Sequence, residues 1–494
     1  MRRIASFARA APLWVALATA PAVAGTAPAV PTITMPDVYA GLPPGPAPAA
    51  GVLDRWWRLF GDPTLDALED EAFRASDDSR TAAARLMEAR ATRAADIART
   101  WPGGSITANA NDQANYGLGA AGDDLNPTTG TTRAVSAGFN VSWELDLFGR
   151  LAVQRRVARA DAAQAVFDVE GIYASLAANV ADDYVQLKGL QIQRLDANET
   201  VRIDQDLLVV ARRKAGAGAG PADAVDRVAG QLAQAQAQVA VLDAQADSVR
   251  RQLLILVGRD LRATDDLTLA DAWPTVPPTP TVLPAALLAR RPDVREAEFR
   301  LRAELGTARL AHLAVWPTIT LLPGLGLSST SAPGVSFIPP TTLITSQQVT
   351  TLGFWNLAVG LNAPTLDIPR LLHQAKAEDA RAREAAIAYE KSVRTAFGEA
   401  QNALVSLAAD EHAAAILGDG EGRARLAYEG SRRRYDHGLD DLTAALTAEQ
   451  EWRGVRQALT AQRTQALRSA VATYKALGGG WSYSAMTATP GGGG

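Results

Sequence analysis

Asp440 and Asp441 stand together in DHGLDDL, and Asp223 and Asp226 stand three apart in PADAVD, each pair following a glycine-bearing stretch. Carboxylates so placed could exchange protons, or accept backbone N–H bonds at the start of a helix, where the dipole favours acids. Chemistry on a substrate needs more than acids, and the rest of the inventory is thin. His312, His373, His412 and His437 lie far apart with no ligand-like spacing, so each reads as a surface or packing residue rather than a metal ligand. Cysteine is absent, which excludes thiolate metal sites, cysteine nucleophiles and disulfides. No phosphate-cradling glycine loop, nucleophile elbow or zincin motif occurs, and GLGLSS at 324–329 falls in a strand-like run instead of leading into a helix. Glu144 and Asp146 read as solvating acids near a strand end that faces a lumen. The chain is not read as an enzyme, and neither a cofactor nor a resident metal is expected.

The elements that would carry these residues occur twice. Trp-Pro in RTWPGGSITAN has a counterpart 215 residues later in AVWPTITLLPG; Arg150 matches Arg370, RRKAGAG at 212–218 matches RRRYDHG at 432–438, and Gly258 matches Gly478, all at an offset of 220. Each copy reads as helix, Trp-Pro, strand, loop, strand, a very long helix, a glycine-bearing turn and a returning helix. The runs from Leu151 to about Lys214 and from Leu371 to about Arg434 have no breaker, and at ~1.5 Å per residue each would reach on the order of 95 Å. In the first returning helix Val225, Val228, Leu232, Ala235, Val239, Leu242, Ala246, Val249, Leu253 and Leu256 keep a 3-4 spacing suited to a partner helix. The second starts with Trp452, Val455 and Leu459 and then turns polar, so something other than a two-stranded coil should face it.

The strand-like runs have two unlike faces. Phe139, Val141 and Trp143 alternate with Asn140 and Ser142; Ile319 and Leu321 with Thr318 and Thr320; Leu357 and Val359 with Ala358 and Gly360. Their length, about that of a tilted membrane strand of roughly 9–11 residues, favours a lipid-facing side over an ordinary half-buried sheet. Trp101, Trp143, Trp316 and the pair Phe354-Trp355 are placed near strand ends, as an interfacial belt would be. The loop GLGAAGDDLNPTTGTT is long and polar, as an outward-facing barrel loop would be. Four strands cannot enclose a lumen, and open edges in lipid leave backbone groups unsatisfied, so the count must be met by several chains, with eight strands from two or twelve from three.

Lys plus Arg is 49 against 53 for Asp plus Glu, a net charge of −4 that gives no reason to expect nucleic acid. Arg2, Arg3, the apolar run to Ala20 and Ala22-Val23-Ala24 read as a secretory signal peptide over 1–24. An extended segment should fill 25–52, the two repeats 53–258 and 285–478, a proline-rich crossover 259–284 and a flexible tail 479–494.

WWRLFGDPTLDALEDEAF at 56–73, VSWELDLFGRL at 141–151, RRPDVREAEFRLRAELGTARLAHLAVWPTITL at 290–321 and YKALGGGW at 474–481 resemble, in order, the TolC-like outer-membrane factor family. The resemblance implies an α+β membrane protein, internally duplicated. Four β-strands per chain would form a trimeric 12-stranded outer-membrane β-barrel continuous with a long periplasmic α-helical barrel. It further implies a homotrimer in outer-membrane lipid, working with a periplasmic adaptor (membrane-fusion) protein and an inner-membrane pump. Many relatives carry a lipidated cysteine that this chain lacks, so it would be exported but not lipidated. In relatives a VLDAQ-like segment supplies aspartates to a periplasmic constriction; here the segment reads AALTAEQ, leaving Asp440 and Asp441, then Asp223 and Asp226, as gate candidates that would also cap their helices. The adaptor would dock at the tips, at Gly216, Gly218, Gly220, Tyr435, Asp436 and Gly438, although the glycines also read as structural, since a tight reversal needs positive φ. The function expected is a passive duct exporting small molecules such as drugs and toxic compounds, with type I protein secretion as an alternative. A soluble periplasmic coiled-coil scaffold is an alternative of another class, which leaves the two-faced strands unexplained.

Overall fold

A computed structural model describes residues 31, 33–36, 39, 53–115, 130–218, 223–259, 273–278, 284, 287–338 and 342–480. The signal segment, much of the loop after the first strand, most of the crossover and the tail beyond 480 lie outside the described residues. A 3-10 turn (Trp56–Phe60) leads to α1 (Pro63–Ala75), α2 (Asp77–Ala98), β1 (Gly103–Asn115) and β2 (Gly130–Leu145). Next come α3 (Arg150–Gly216), α4 (Asp223–Leu256), the short α5 (Leu287–Arg290) and α6 (Pro292–Leu313). They are followed by β3 (Thr318–Ile338), β4 (Thr342–Asn362), α7 (Ile368–Asp436) and α8 (Leu442–Ala476). The duplication extends to the backbone: Gly218 and Gly438, then Gly258 and Gly478, end equivalent helices at φ values of 68°, 73°, 75° and 72°.

The passage from β2 into α3 explains two acids differently from the sequence reading. Asp146 accepts hydrogen bonds from the Leu151 and Ala152 N–H groups at 3.0 and 2.9 Å, and Glu144 pairs with Arg150. Asp146 satisfies orphan donors of the first helical turn, and Glu144 ties the strand end to the helix. They are junction residues rather than free lumen acids.

The four strands form one antiparallel sheet in the order β1-β2-β3-β4, leaving β1 and β4 as edges. At 13, 16, 21 and 21 residues they exceed the expected length. Toward their far ends polar pairs enter the apolar face, Arg133 with Asp112, Ser329 with Thr351 and Ser331 with Gln347, with Val349 beside them.

Below the sheet the helices form a curved wall in two tiers. Near the sheet the packing order is α2-α3-α6-α7; farther away it is α4-α3-α8-α7. The 67-residue α3 and 69-residue α7 run through both tiers, on the order of 100 Å each. The expected seam of α4 is buried or half-buried at every named position against α3. The polar part of α8 lies between α3 and α7, where Gln462 and Ser469 reach Asp410 and Thr473 reaches the Ala403 carbonyl. Its close approach to α3 needs Gly189, because an added Cβ there would stand 2.4 Å from the Thr464 hydroxyl oxygen.

Between the tiers lies a waist that joins residues 53–60 to the end of α8 and the glycines after it. Trp56 stacks on Tyr474 with ring centroids 5.6 Å apart, and the Gly480 N–H donates to the Leu53 carbonyl at 3.1 Å. Part of the crossover is fixed here too, the Thr275 N–H on Phe60 O and the Tyr474 hydroxyl on Pro278 O. Arg291, almost wholly buried, donates to the Ala476 and Ala396 carbonyls and to Asp293 and Glu399, fastening α6, α7 and the end of α8 together. Replacing Trp56 with Ala should remove about 3–5 kcal/mol by loss of a fully buried ring, read as a lower unfolding midpoint of the purified protein.

Candidate functional site

Antiparallel register puts one residue of each strand into a row. Ile106, Phe139, Leu325 and Trp355 form one; Trp143, Leu321 and Val359 another; Leu145, Ile319 and Leu361 the last. Val141 and Leu357 share this face by alternation, so all seven residues expected to face lipid are on one side. On this side Val135, Leu325 and Leu327 are each more than half exposed, while Ser136, Gly138 and Gly326 opposite are only partly exposed; on β4 both faces are open. The apolar rows run from Val135 to Leu145, which for strands tilted about 40° makes a band roughly 25 Å tall, the height that an outer-membrane barrel presents. Trp101 and Trp316 precede their strands by two residues, and Trp316 meets Phe148 with centroids 5.1 Å apart.

One expected belt member is placed otherwise. Phe354-Trp355 is not near a strand end but well inside β4, and its two rings point to opposite faces. Trp355, 81% exposed, is in the middle of the apolar band. Phe354 lies on the polar face across Gly326, where an added Cβ would stand 2.7 Å from the ring. One row along, Asn140 and Asn356 converge over Gly324, and Asn140 donates to Thr107 at 3.5 Å. The polar face is thus lined mainly by amide and hydroxyl groups, with Phe354, Leu322 and Leu352 among them.

At the far end of the wall, the expected acids hold local positions. The Asp441 carboxylate accepts the Ala444 N–H at 2.8 Å and so caps α8, while Asp440 pairs with Arg434 at 3.1 Å and also accepts the Asp441 N–H. Asp223 pairs with Arg227, whose guanidinium also reaches Thr443 of α8 at 3.3 Å; Asp226 is exposed in the first turn of α4. Gly216, Gly218, Asp436 and Gly438 are exposed at the tips, and Gly220 lies outside the described residues. Tyr435 is buried, its ring beneath the Lys214 ammonium at 3.6 Å, so at this tip it packs and Leu439, 78% exposed, presents the apolar surface.

The sequence reading missed the charge ladder between α3 and α8. Asp182 pairs with Arg468 at 2.8 Å, Asp196 with Arg456 and with the Thr460 hydroxyl, and Asp204 with Arg453. The polar turn of α8 was the visible signal; its partners, over 240 residues earlier, were not. Burial, reinforced by the neighbouring Asp182 charge, pushes the Asp183 carboxyl up to about 6, against the opposing pull of Arg468. Burial likewise pushes Glu170 up to about 7, with Arg295 opposing. Among the described residues no cluster of three acids or histidines could hold a metal ion; His312 instead faces Asp379 at 3.1 Å. No helix among them is long and apolar enough to cross a membrane.

Comparison with known proteins agrees with this geometry. The family described as Outer membrane efflux protein matches residues 70–259 and 283–479. The pyoverdine export outer membrane protein OpmQ of Pseudomonas aeruginosa is 27% identical over 439 residues, 87% of this chain and 88% of its own. The toluene efflux pump outer membrane protein TtgF of Pseudomonas putida is 28% identical over 437 residues, 86% of this chain and 85% of its own. Among solved structures, the outer-membrane channel OprN superposes with a TM-score of 0.74 at 25% identity, covering 92% of this chain and 99% of that one. CusC reaches the same TM-score at 22% identity, over 92% of this chain and 100% of its own, a likeness of fold. The chain belongs to the outer membrane efflux protein family, whose members are outer-membrane channels and not enzymes.

Proposed function

We propose that three copies of this chain close into a twelve-stranded barrel and a helical tunnel, forming the passive outer-membrane exit of a tripartite machine that exports small molecules. The observation that carries this reading is a single sheet with an apolar outer face, a polar inner face and two open edges, continuous with a helical wall. Edge strand β4 of one copy would pair with β1 of the next, satisfying the backbone groups that lipid cannot. Relatives named for pyoverdine, toluene and cation export favour small solutes as cargo. A periplasmic adaptor would engage the exposed tips around Gly218, Asp436, Gly438 and Leu439, and an inner-membrane pump would supply the energy. Asp440 and Asp441 would narrow the closed tip by their repeated charge around the threefold axis.

Detergent extraction of outer membranes should yield a native mass of three chains that conducts in planar bilayers; a monomer in the soluble periplasm would overturn the assembly. Arg at Phe139 or Val141 should cost about 2–4 kcal/mol at the membrane midplane and abolish outer-membrane recovery, whereas Arg at Asn140, facing the lumen, should be tolerated. The gate is tested with Asp440→Asn together with Asp441→Asn, because Asn keeps the cap of α8 while removing charge. Closed-state conductance should rise several-fold, and unchanged conductance would leave capping and the Arg434 pair as the whole role of these acids.

A further inference from the structure

The lowest rung of the charge ladder differs from the others in its stoichiometry. Asp204 of α3 and Glu449 of α8 have side chains 0% and 1% exposed, and both accept from the same Arg453 nitrogen at 2.5 Å. Their acceptor oxygens can therefore lie no farther apart than twice that distance. The second oxygen of each, Asp204 Oδ2 and Glu449 Oε2, is buried with no hydrogen-bond partner among the described residues. Two buried carboxylates bonded to one guanidinium leave one negative charge in excess within the triad, and a buried acceptor without a donor is what a bound proton would satisfy.

The surroundings add one cation, Arg432, whose charge also pulls on Glu449 but is shared with Asp206 and Asp436. From α7, Tyr428 and Arg432 face Glu449, with the Arg432 guanidinium donating to the Tyr428 hydroxyl at 3.3 Å. The next rung of α3 and α8 has its own pairing, Asp196 with Arg456, and α4 lines this side with the uncharged Gln231, Gln234 and Gln238. Those glutamines, with Gln450, Arg453 and Gln457, line an open groove by which water can deliver or remove a proton. Burial is the first cause that raises both carboxyls above their usual range, with Arg453 opposing it.

We propose that Asp204 and Glu449 together hold one proton against Arg453, and that its loss loosens the seam between α3 and α8 just above the periplasmic tips. The site stands ~10–20 Å from those tips at 1.5 Å per residue, on the two helices that would have to part for the tunnel to widen there. The direction follows from linkage. A carboxyl whose value is raised in the packed state binds its proton more tightly there than when the seam is open, so packing is favoured at acidic pH. That advantage is lost as pH rises from the ordinary carboxylate range through the raised value.

The test is hydrogen–deuterium exchange of the detergent-solubilised full-length protein, following peptides that cover 200–208 and 445–456. Glu449→Gln leaves Asp204 and Arg453 as a matched pair at every pH, and Asp204→Asn does the same from the other helix. Compared with wild type at the same pH, each variant should exchange roughly five-fold or more slowly at about pH 8, with the difference vanishing at about pH 5. Faster exchange in both variants at both pH values would show the carboxylates to be plain ion-pair partners of Arg453 and overturn the proposal. Identical exchange at the higher pH would overturn it as well, as would failure of both variants to assemble, since removing excess charge should be tolerated. If only one variant assembles, it decides the matter.

Discussion

Every strand edge carries N–H and C=O groups that lipid cannot satisfy, and this chain has two such edges, on β1 and β4. Much of the architecture follows from that constraint. A sheet of four strands with an apolar outer face cannot stand alone in a bilayer, and a sheet with a polar inner face has no core to fold around. Both needs are met at once when copies join edge to edge, because closure pairs the edges and turns the polar faces toward a shared aqueous interior. The rows Ile106-Phe139-Leu325-Trp355 and Trp143-Leu321-Val359 then become segments of one continuous girdle.

The helical wall meets a different constraint, that of building a long hollow structure from one chain without a thick core. Its solution is to let α3 and α7 pass through both tiers while shorter helices flank them, α2 and α6 above, α4 and α8 below. Alanine and glycine at the crossings allow close approach, as at Gly189 against Thr464. Apolar seams hold α4 to α3, whereas ion pairs hold α8 to α3. Burying carboxylates such as Asp204 and Asp196 costs desolvation that offsets much of the attraction to their arginines, so this second contact gains less from packing than the apolar seam does. A wall made of one firm and one adjustable joint can keep its shape and still change its bore.

Much of this was legible in the sequence because it is periodic. Alternation fixed which residues of β2, β3 and β4 share a face, and a common offset of 220 located the equivalent turns at Gly218 and Gly438. What escaped was set by contacts far apart in the chain. Phe354 reads as belt material until the register places it over Gly326, and Tyr435 reads as a surface tip until Lys214 is seen above its ring. Asp146 looks like a solvated acid, since nothing in strand alternation announces that its carboxylate reaches forward to the Leu151 and Ala152 amides. The three acids of the ladder could not be paired from sequence, because ion-pair partners have no period to reveal them.

The waist has a consequence in time as well as in space. Leu53, Trp56 and Phe60 bury themselves against Tyr474, Leu477 and the glycines that follow, at the opposite end of the chain. A chain delivered N-terminus first presents the first repeat long before residues 474–480 arrive, and during that interval Trp56 has no ring to stack on. The middle of the wall is therefore completed only once residues 474–480 are present. A chain shortened before Tyr474 would lack both the Trp56 stack and the Gly480 tie to Leu53.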